Sequence, residues 1–175
     1  MITQYKNIFL NLKNGFDLED FLEFAQGIKG RYNLYLIANE DIGCAYPMAA
    51  TLAYACTESA KAIGLPEAAI PLANIVVILA TAPKSNTAYL AYHAAMEDIE
   101  KGLGVNAPDH LQSPLFKGYL YPHDYENDYV EQSYLPKDLV GRKYYEFGSN
   151  KTEQTAKAYY DFIRVNCKNK RKNSM

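Results

Sequence analysis

Residues 68–82 are apolar on nearly every face, interrupted by Pro71 and Asn74 and closed by Pro83. A helix of that character has to be surrounded, because apolar surface left in water forfeits roughly 25 cal/mol per Å2. The pattern predicts a helix in the middle of a bundle, with Pro71 in its first turn, where an absent N–H leaves no bond unmade. The run is shorter than the roughly 20 residues that span a bilayer, so no membrane contact is expected.

The flanking segments supply partners for such a helix. Asp17 can cap a helix with Leu18, Phe21, Leu22, Ala25 and Ile28 on one stripe, its end loosened by Gly27 and Gly30. Residues 32–38 are apolar and short; strand or helix is open from periodicity alone, and the helical neighbours favour helix. Pro47 suits a first turn, with Met48, Leu52, Cys56, Ser59 and Ile63 as the inward stripe before Gly64 stops the helix. After Pro83, Ser85 or Asn86 can cap a helix that turns Tyr89, Tyr92, Met96 and Ile99 inward, ending at Gly102 and Gly104.

From Asn106 to Asn150 the character changes. Pro108, Pro114, Pro122 and Pro136, with Gly118, Gly141 and Gly148, rule out a long helix there. Seven of the 16 tyrosines fall between Tyr119 and Tyr145, and the chain holds no tryptophan. Thr152 then opens an amphipathic helix with Ala156, Tyr159, Tyr160, Ile163 and Cys167 on one face, followed by the basic tail Lys168 to Lys172. With no convincing alternating strand, the expected fold class is all-α, a helical bundle with the Tyr-rich segment wrapped around it. At 175 residues, 49% hydrophobic and 22% charged, the chain suits a single globular domain, here 1–175.

Chemistry is sparsely written. No GxxxxGK[ST] phosphate loop occurs, so this chain is not expected to hydrolyse ATP by itself. The adjacent acids Glu40 and Asp41 can ligate a metal or work as acid and base, but neighbours on a helix do not face one another, and a helix-end role is the plainer reading. Tyr121-Pro122-His123-Asp124-Tyr125 sets an imidazole beside a carboxylate, as a general base and its orienting partner would stand, with no nucleophile attached; a hydrogen-bonded loop anchor accounts for it as well. His93, His110 and His123 lack zinc-ligand spacing, and Cys44, Cys56 and Cys167 form neither a CxxC pair nor a disulfide framework. Lys84-Ser85-Asn86 reads as a capped turn. The aromatic segment can stack single-stranded bases, yet Asp124, Glu126, Asp128 and Glu131 oppose a phosphate groove, and the net charge is −2; packing or subunit contact fits better. Met1 to Leu12 lacks the apolar core of a secretion signal, and the three widely spaced cysteines suit a reducing cytoplasm.

Four ordered strings narrow the field: Glu40-Asp41-Ile42-Gly43; Ala80 through Lys84-Ser85-Asn86 to Tyr89; Tyr121 to Tyr125 with Tyr129-Val130-Glu131-Gln132 and Tyr134-Leu135-Pro136; and Gly141-Arg142-Lys143-Tyr144-Tyr145. From Glu40 to Tyr145 the chain resembles the C-terminal region of the replication-associated recombination protein A family of AAA+ ATPases, which includes the MgsA proteins and the eukaryotic Werner-helicase-interacting protein. It departs from that family at Tyr46-Pro47, where the family has Asp before the proline, and between His110 and Tyr119, which is shorter here. The first forty residues match loosely.

The resemblance implies a helical domain similar to the collar of clamp loaders, with core helices over 40–105, the Tyr-rich arm over 106–150, a last helix over 151–167 and a tail from 168. It implies a non-catalytic homotetramerisation role in a family acting at stalled replication forks, in the cytoplasm with the nucleoid. No cofactor is expected in this chain; ATP and magnesium belong to an ATPase module outside it. The alternative is binding of DNA, or of single-strand-binding and other replication proteins, through the arm and basic tail. On either reading Glu40, Asp41, Lys84, Ser85, Asn86, Tyr89, Tyr121, His123, Asp124, Tyr125 and Tyr129 are structural or interface positions.

Overall fold

The computed structural model describes residues 28–114 and 116–166, with side chains from Asn33 onward. The helix expected after Asp17, Cys167 and the basic tail lie outside the described residues. Among those described, the order is α1 (Ile28–Ile37), a π-helical turn (Ala38–Ile42), a 3-10 turn (Gly43–Ala45), α2 (Ala49–Ile63), α3 (Ala69–Thr81), α4 (Thr87–Glu100), four further 3-10 turns and α5 (Lys151–Asn166). No strand occurs among the described residues, and the fold is all-α, as expected. None of its helices is long and apolar enough to cross a membrane. The chain divides after Ala88 into two compact units.

In the first unit α2 and α3, joined by the turn at 64–68, pack on one another, and α2 also packs on α1. The core is Leu34, Ala38, Ile42, Ala49, Ala53, Ala60, Ala68, Leu72, Ile75, Val76 and Leu79. Each of the larger aliphatics there contributes roughly 1.5–3 kcal/mol by leaving water. The ambiguous segment 32–38 is helical: α1 runs through Gly30, at the roughly 1 kcal/mol a helical glycine costs, and buries Leu34 completely.

Helix α2 turns a different face inward from the one expected. Ala49, Ala53, Thr57 and Ala60 are buried, whereas Met48 and Ile63 are each more than half exposed and Ser59 is exposed. Small residues let the two backbones approach closely, and the larger Leu52 and Cys56 fill the flank. Thr57 sits in that seam with its hydroxyl spent: it donates to the Ala53 carbonyl at 2.9 Å and pairs with the Tyr35 phenol. Pro47 stands two residues before α2, in a turn closed by Ala49 N–H on the Tyr46 carbonyl (2.9 Å). Gly64 ends the helix at φ +76, its N–H on the Ala60 carbonyl.

Helix α3 has Pro71 in its first turn and stops at Ala82, as predicted. It is not enclosed, however. Leu72, Ile75, Val76 and Leu79 are buried, while Ile70 is 71% and Val77 58% exposed, on an outward face they share with exposed Asn74 and Thr81.

The second unit has a small apolar core, Tyr125, Val130 and Leu139, and two buried acids, Asp98 and Glu153. Helix α4 buries Asp98 with Ala91 and Ala95 beside it; Tyr92 and Ile99, expected inward, are 59% and 57% exposed. Gly104, at φ +78, lets the chain pass Leu139, whose Cδ1 a Cβ there would meet at 2.9 Å, and its N–H bonds Asp138 at 2.9 Å. On α5, Glu153 is buried and Ile163 half-buried, whereas Tyr159, expected inward, is 64% exposed.

Candidate functional site

The first two resemblance strings meet in the first unit. Residues 38–42 form a π-helical turn, closed by Gly43 N–H on the Ala38 carbonyl, and Gly43 takes φ +42. That turn presents the Asp41 carbonyl to Ser85 N–H at 2.8 Å. A Cβ on Gly43 would lie 2.9 Å from the Ser85 carbonyl oxygen, so the two segments touch backbone to backbone. Ser85 is buried, and its hydroxyl lies 3.0 Å from Thr87 Oγ1 and 3.4 Å from Thr87 N at the start of α4; Asn86 is exposed. Lys84 Nζ donates to the carbonyls of Leu79 (2.5 Å) and Ala82 (3.1 Å), satisfying the end of α3. Burial lowers the Lys84 pKa, and the charge of Asp41 opposes that fall. Glu40 and Asp41 are half-buried in this latch.

The last string organises the second unit. In an extended backbone residues i and i+2 share a side. Arg142 and Tyr144 therefore reach the same carboxylate, Asp98, at 2.8 Å from Nη2 to Oδ1 and 3.0 Å from the phenol to Oδ2. Burial raises the Tyr144 pKa first, and the bond to Asp98 and its charge add to the rise, against a lowering by Arg142. Tyr145 turns the other way, donating to Glu153 Oε1 at 2.7 Å. Gly148 N–H joins it at 2.9 Å and the Asn150 amide bonds Oε2, while Asn150 Oδ1 accepts Glu153 N–H at 3.0 Å. Asn150 thus caps α5 through its Oδ1, while the Glu153 carboxylate holds the Asn150 side-chain amide and the Gly148 N–H in place of the N-cap backbone N–H of an ordinary capping box.

Asp98 and Glu153 were not among the residues singled out by sequence. The signal for Glu153 lies in Asn150-Lys151-Thr152-Glu153, a cap residue with a glutamate three positions on, which sets the start of α5 before Thr152. Asp98 carried no such signal, since its partners are 44 and 46 residues away.

The third string is a built loop. Gln132 clamps Leu120 with both ends of its amide, accepting Leu120 N–H at 3.1 Å and donating to its carbonyl at 2.7 Å, and also donates to the Tyr134 phenol at 2.8 Å. Tyr125 is buried and Tyr129 half-buried; Tyr121 is exposed and stands edge-on to His123 at 5.0 Å between centroids. His123 Nδ1 lies 3.2 Å from Asp128 Oδ1, so its carboxylate partner is Asp128 rather than the adjacent, exposed Asp124. The pair sits on the open surface, 65% and 53% exposed, as a loop anchor would. His93 lies against Tyr89 with the rings tilted by 55°, centroids 4.2 Å apart. Among the described residues no three His, Cys, Asp or Glu side chains gather as a metal site would require.

Several large apolar residues are exposed among those described. They include Ile70 and Val77 on α3, Tyr54 and Ile63 on α2, Leu65 just after it, and Tyr159, Phe162 and Val165 on α5 at 64%, 54% and 70%. Scattered exposed apolar residues are ordinary; runs on single helix faces mark contact surfaces.

The family described as MgsA AAA+ ATPase C terminal matches residues 31–164. Replication-associated recombination protein A of Bacillus subtilis is 42% identical over 138 residues, covering 73% of this chain and 33% of the relative. An uncharacterized AAA domain-containing protein of Mycobacterium tuberculosis is 37% identical over 147 residues, 79% of this chain and 32% of the relative. ATPase WRNIP1 of Dictyostelium discoideum is 32% identical over 121 residues, 63% and 14%. The chain spans about a third of the length of the bacterial relatives, and less of the last.

Proposed function

The chain belongs to the MgsA AAA+ ATPase C-terminal family, and from that premise we propose that it is a non-catalytic homo-oligomerisation module, forming tetramers, for an ATPase of DNA replication and recombination. ATP and magnesium binding belong, in this reading, to a module outside these 175 residues, and the assembly works in the cytoplasm at the nucleoid. The observation that carries it is α3: a strongly apolar helix, covered on one side by α2 and bare at Ile70 and Val77, with exposed Asn74 between them. A surface of that kind is stable in water when another subunit covers it.

Light scattering on the 175-residue chain tests this. The expected result is a mass several times 19.7 kDa, reduced by Ile70→Lys with Val77→Lys at unchanged helicity. A wild-type chain that stays monomeric at high concentration overturns the proposal. The second reading, binding of DNA or replication proteins by the arm, draws on the exposed Tyr119, Tyr121 and Tyr134. Fluorescence anisotropy with single-stranded DNA at two salt concentrations tests it, and an unchanged signal removes it.

A further inference from the structure

Charge is distributed unevenly along this chain. Residues 151–175 hold seven lysines and arginines against two acids, a net charge of +5, although the whole chain carries −2. The preceding 150 residues are therefore at −7. An asymmetry of that size marks the basic segment as the part suited to a polyanion.

Helix α5 opens the segment and turns most of its surface to solvent. Glu153 is buried and Ile163 half-buried, and its other residues are exposed. Both of its acids are engaged: Glu153 is enclosed by Tyr145, Gly148 and Asn150, and Asp161 is paired with Lys157. Among the described residues Lys157 is the α5 cation that is ion-paired; Lys151 is exposed, and Arg164 lies over the Tyr160 ring at 5.5 Å. Lys168, Lys170, Arg171 and Lys172 follow in the sequence.

Lys151, Thr155, Tyr159 and Phe162, spaced four, four and three residues apart, share one side of the helix, and all four are exposed. Open aromatic rings beside cations are what a single strand needs, because every base has a face to stack and every phosphate a charge to neutralise. A lipid surface or an apolar partner helix calls for an unbroken apolar stripe, and Lys151 and Thr155 interrupt this one. The Tyr-rich arm has the rings without the cations: from Gly118 to Pro136 it holds Asp124, Glu126, Asp128 and Glu131 and no lysine or arginine.

We propose that α5 and the basic residues following it are a contact for single-stranded nucleic acid, independent of base sequence. Tyr159 and Phe162 stack bases, and Lys151, Arg164 and the cations from Lys168 to Lys172 neutralise phosphates. This deepens the second reading above, with α5 rather than the arm as its site. Contact with about five phosphates gives a single-strand salt slope near −3.5, so affinity falls about 100-fold between ~50 and ~200 mM salt.

The test is fluorescence anisotropy of a fluorescein-labelled oligodeoxythymidylate with the 175-residue chain, alongside circular dichroism and light scattering. Tyr159→Ala and Phe162→Ala are each expected to weaken binding at least about fivefold at unchanged salt slope, the lower end for loss of one stacked base. Lys151→Gln with Arg164→Gln is expected to make the slope shallower by about 1.4, and Tyr121→Ala with Tyr134→Ala on the arm to change neither. Phe162→Leu, which keeps the bulk and loses the ring, is expected to weaken binding like Phe162→Ala, and serves if the alanine variant loses helicity. A wild type that leaves the anisotropy unchanged ends the second reading and this inference with it. Binding that the arm variants abolish and the α5 variants leave intact overturns this inference alone. So does an α5 variant that loses binding only in step with a fall in mass, and so does a wild type that floats with phosphatidylglycerol vesicles and ignores the oligonucleotide.

Discussion

Replacing Glu153 tests whether a single buried carboxylate fastens the last helix to the aromatic arm. The side chain is 2% exposed and accepts from Tyr145 OH, Gly148 N–H and the Asn150 amide, while its own N–H is held by Asn150. Glu153→Ala strands the Gly148 N–H, a backbone donor that cannot swing out to water, at about 1–3 kcal/mol. The Asn150 cap on the residue 153 N–H stays in place, and loss of a negative charge in the first turn of α5 adds about 0.3–1 kcal/mol. Tyr145 and Asn150 are half-buried and rehydrate, so they add little. The expected total is about 1–4 kcal/mol.

Glu153→Gln keeps the shape and one acceptor but turns an NH2 group towards the Asn150 amide, which cannot flip because its Oδ1 holds the residue 153 N–H. Its expected cost is about 1–2 kcal/mol. Urea unfolding followed by far-UV circular dichroism gives both values at neutral pH. A Glu153→Gln variant within about 0.5 kcal/mol of wild type, the ordinary range for a surface change, refutes the reasoning.

Gly43→Ala is expected to cost at least about 1 kcal/mol in the same assay, because φ is +42 and the new Cβ meets the Ser85 carbonyl at 2.9 Å; a neutral result contradicts the backbone contact between the two segments. Thr57→Val, nearly isosteric in a fully buried seam, removes the hydroxyl shared by Tyr35 and Ala53 and should lower stability by about 1–2 kcal/mol. Tyr144→Phe probes the raised phenol pKa: because the folded value lies above the unfolded one, the stabilisation is complete below about pH 10 and is lost as pH climbs through the folded value. The stability difference between wild type and Tyr144→Phe should be flat to that point and then shrink; a difference that widens with pH contradicts the assignment.

Much of the fold was legible because helices announce themselves locally. Pro71 in a first turn, Gly64 as a stop, Pro83 as a terminator and the prolines and glycines of 106–150 act through their own φ restrictions, which no tertiary context alters. The orientation of each helix was another matter. The α2 stripe is rotated by one residue from expectation, α4 buries an aspartate where aromatics were expected, and α5 leaves Tyr159 in solvent. Counting apolar residues along a helix ranks faces by greasiness; packing ranks them by fit, so Ala49, Ala53 and Ala60 won the seam against α3 over larger neighbours.

The candidate site divides along the same line. The four strings identified the family, and the latch at Gly43 and Ser85 explains physically why two of them belong together, since their backbones touch. The His123–Asp124 pairing failed because adjacent side chains diverge along a backbone, and a residue five positions away met the imidazole instead. By itself the sequence determined the helical class, the breakpoints and the kinship. Only the tertiary structure decided that Asp98 and Glu153 are buried acceptors and that α3 and α5 leave large apolar residues such as Ile70, Val77 and Phe162 uncovered, because burial is a property of what a residue meets across the fold.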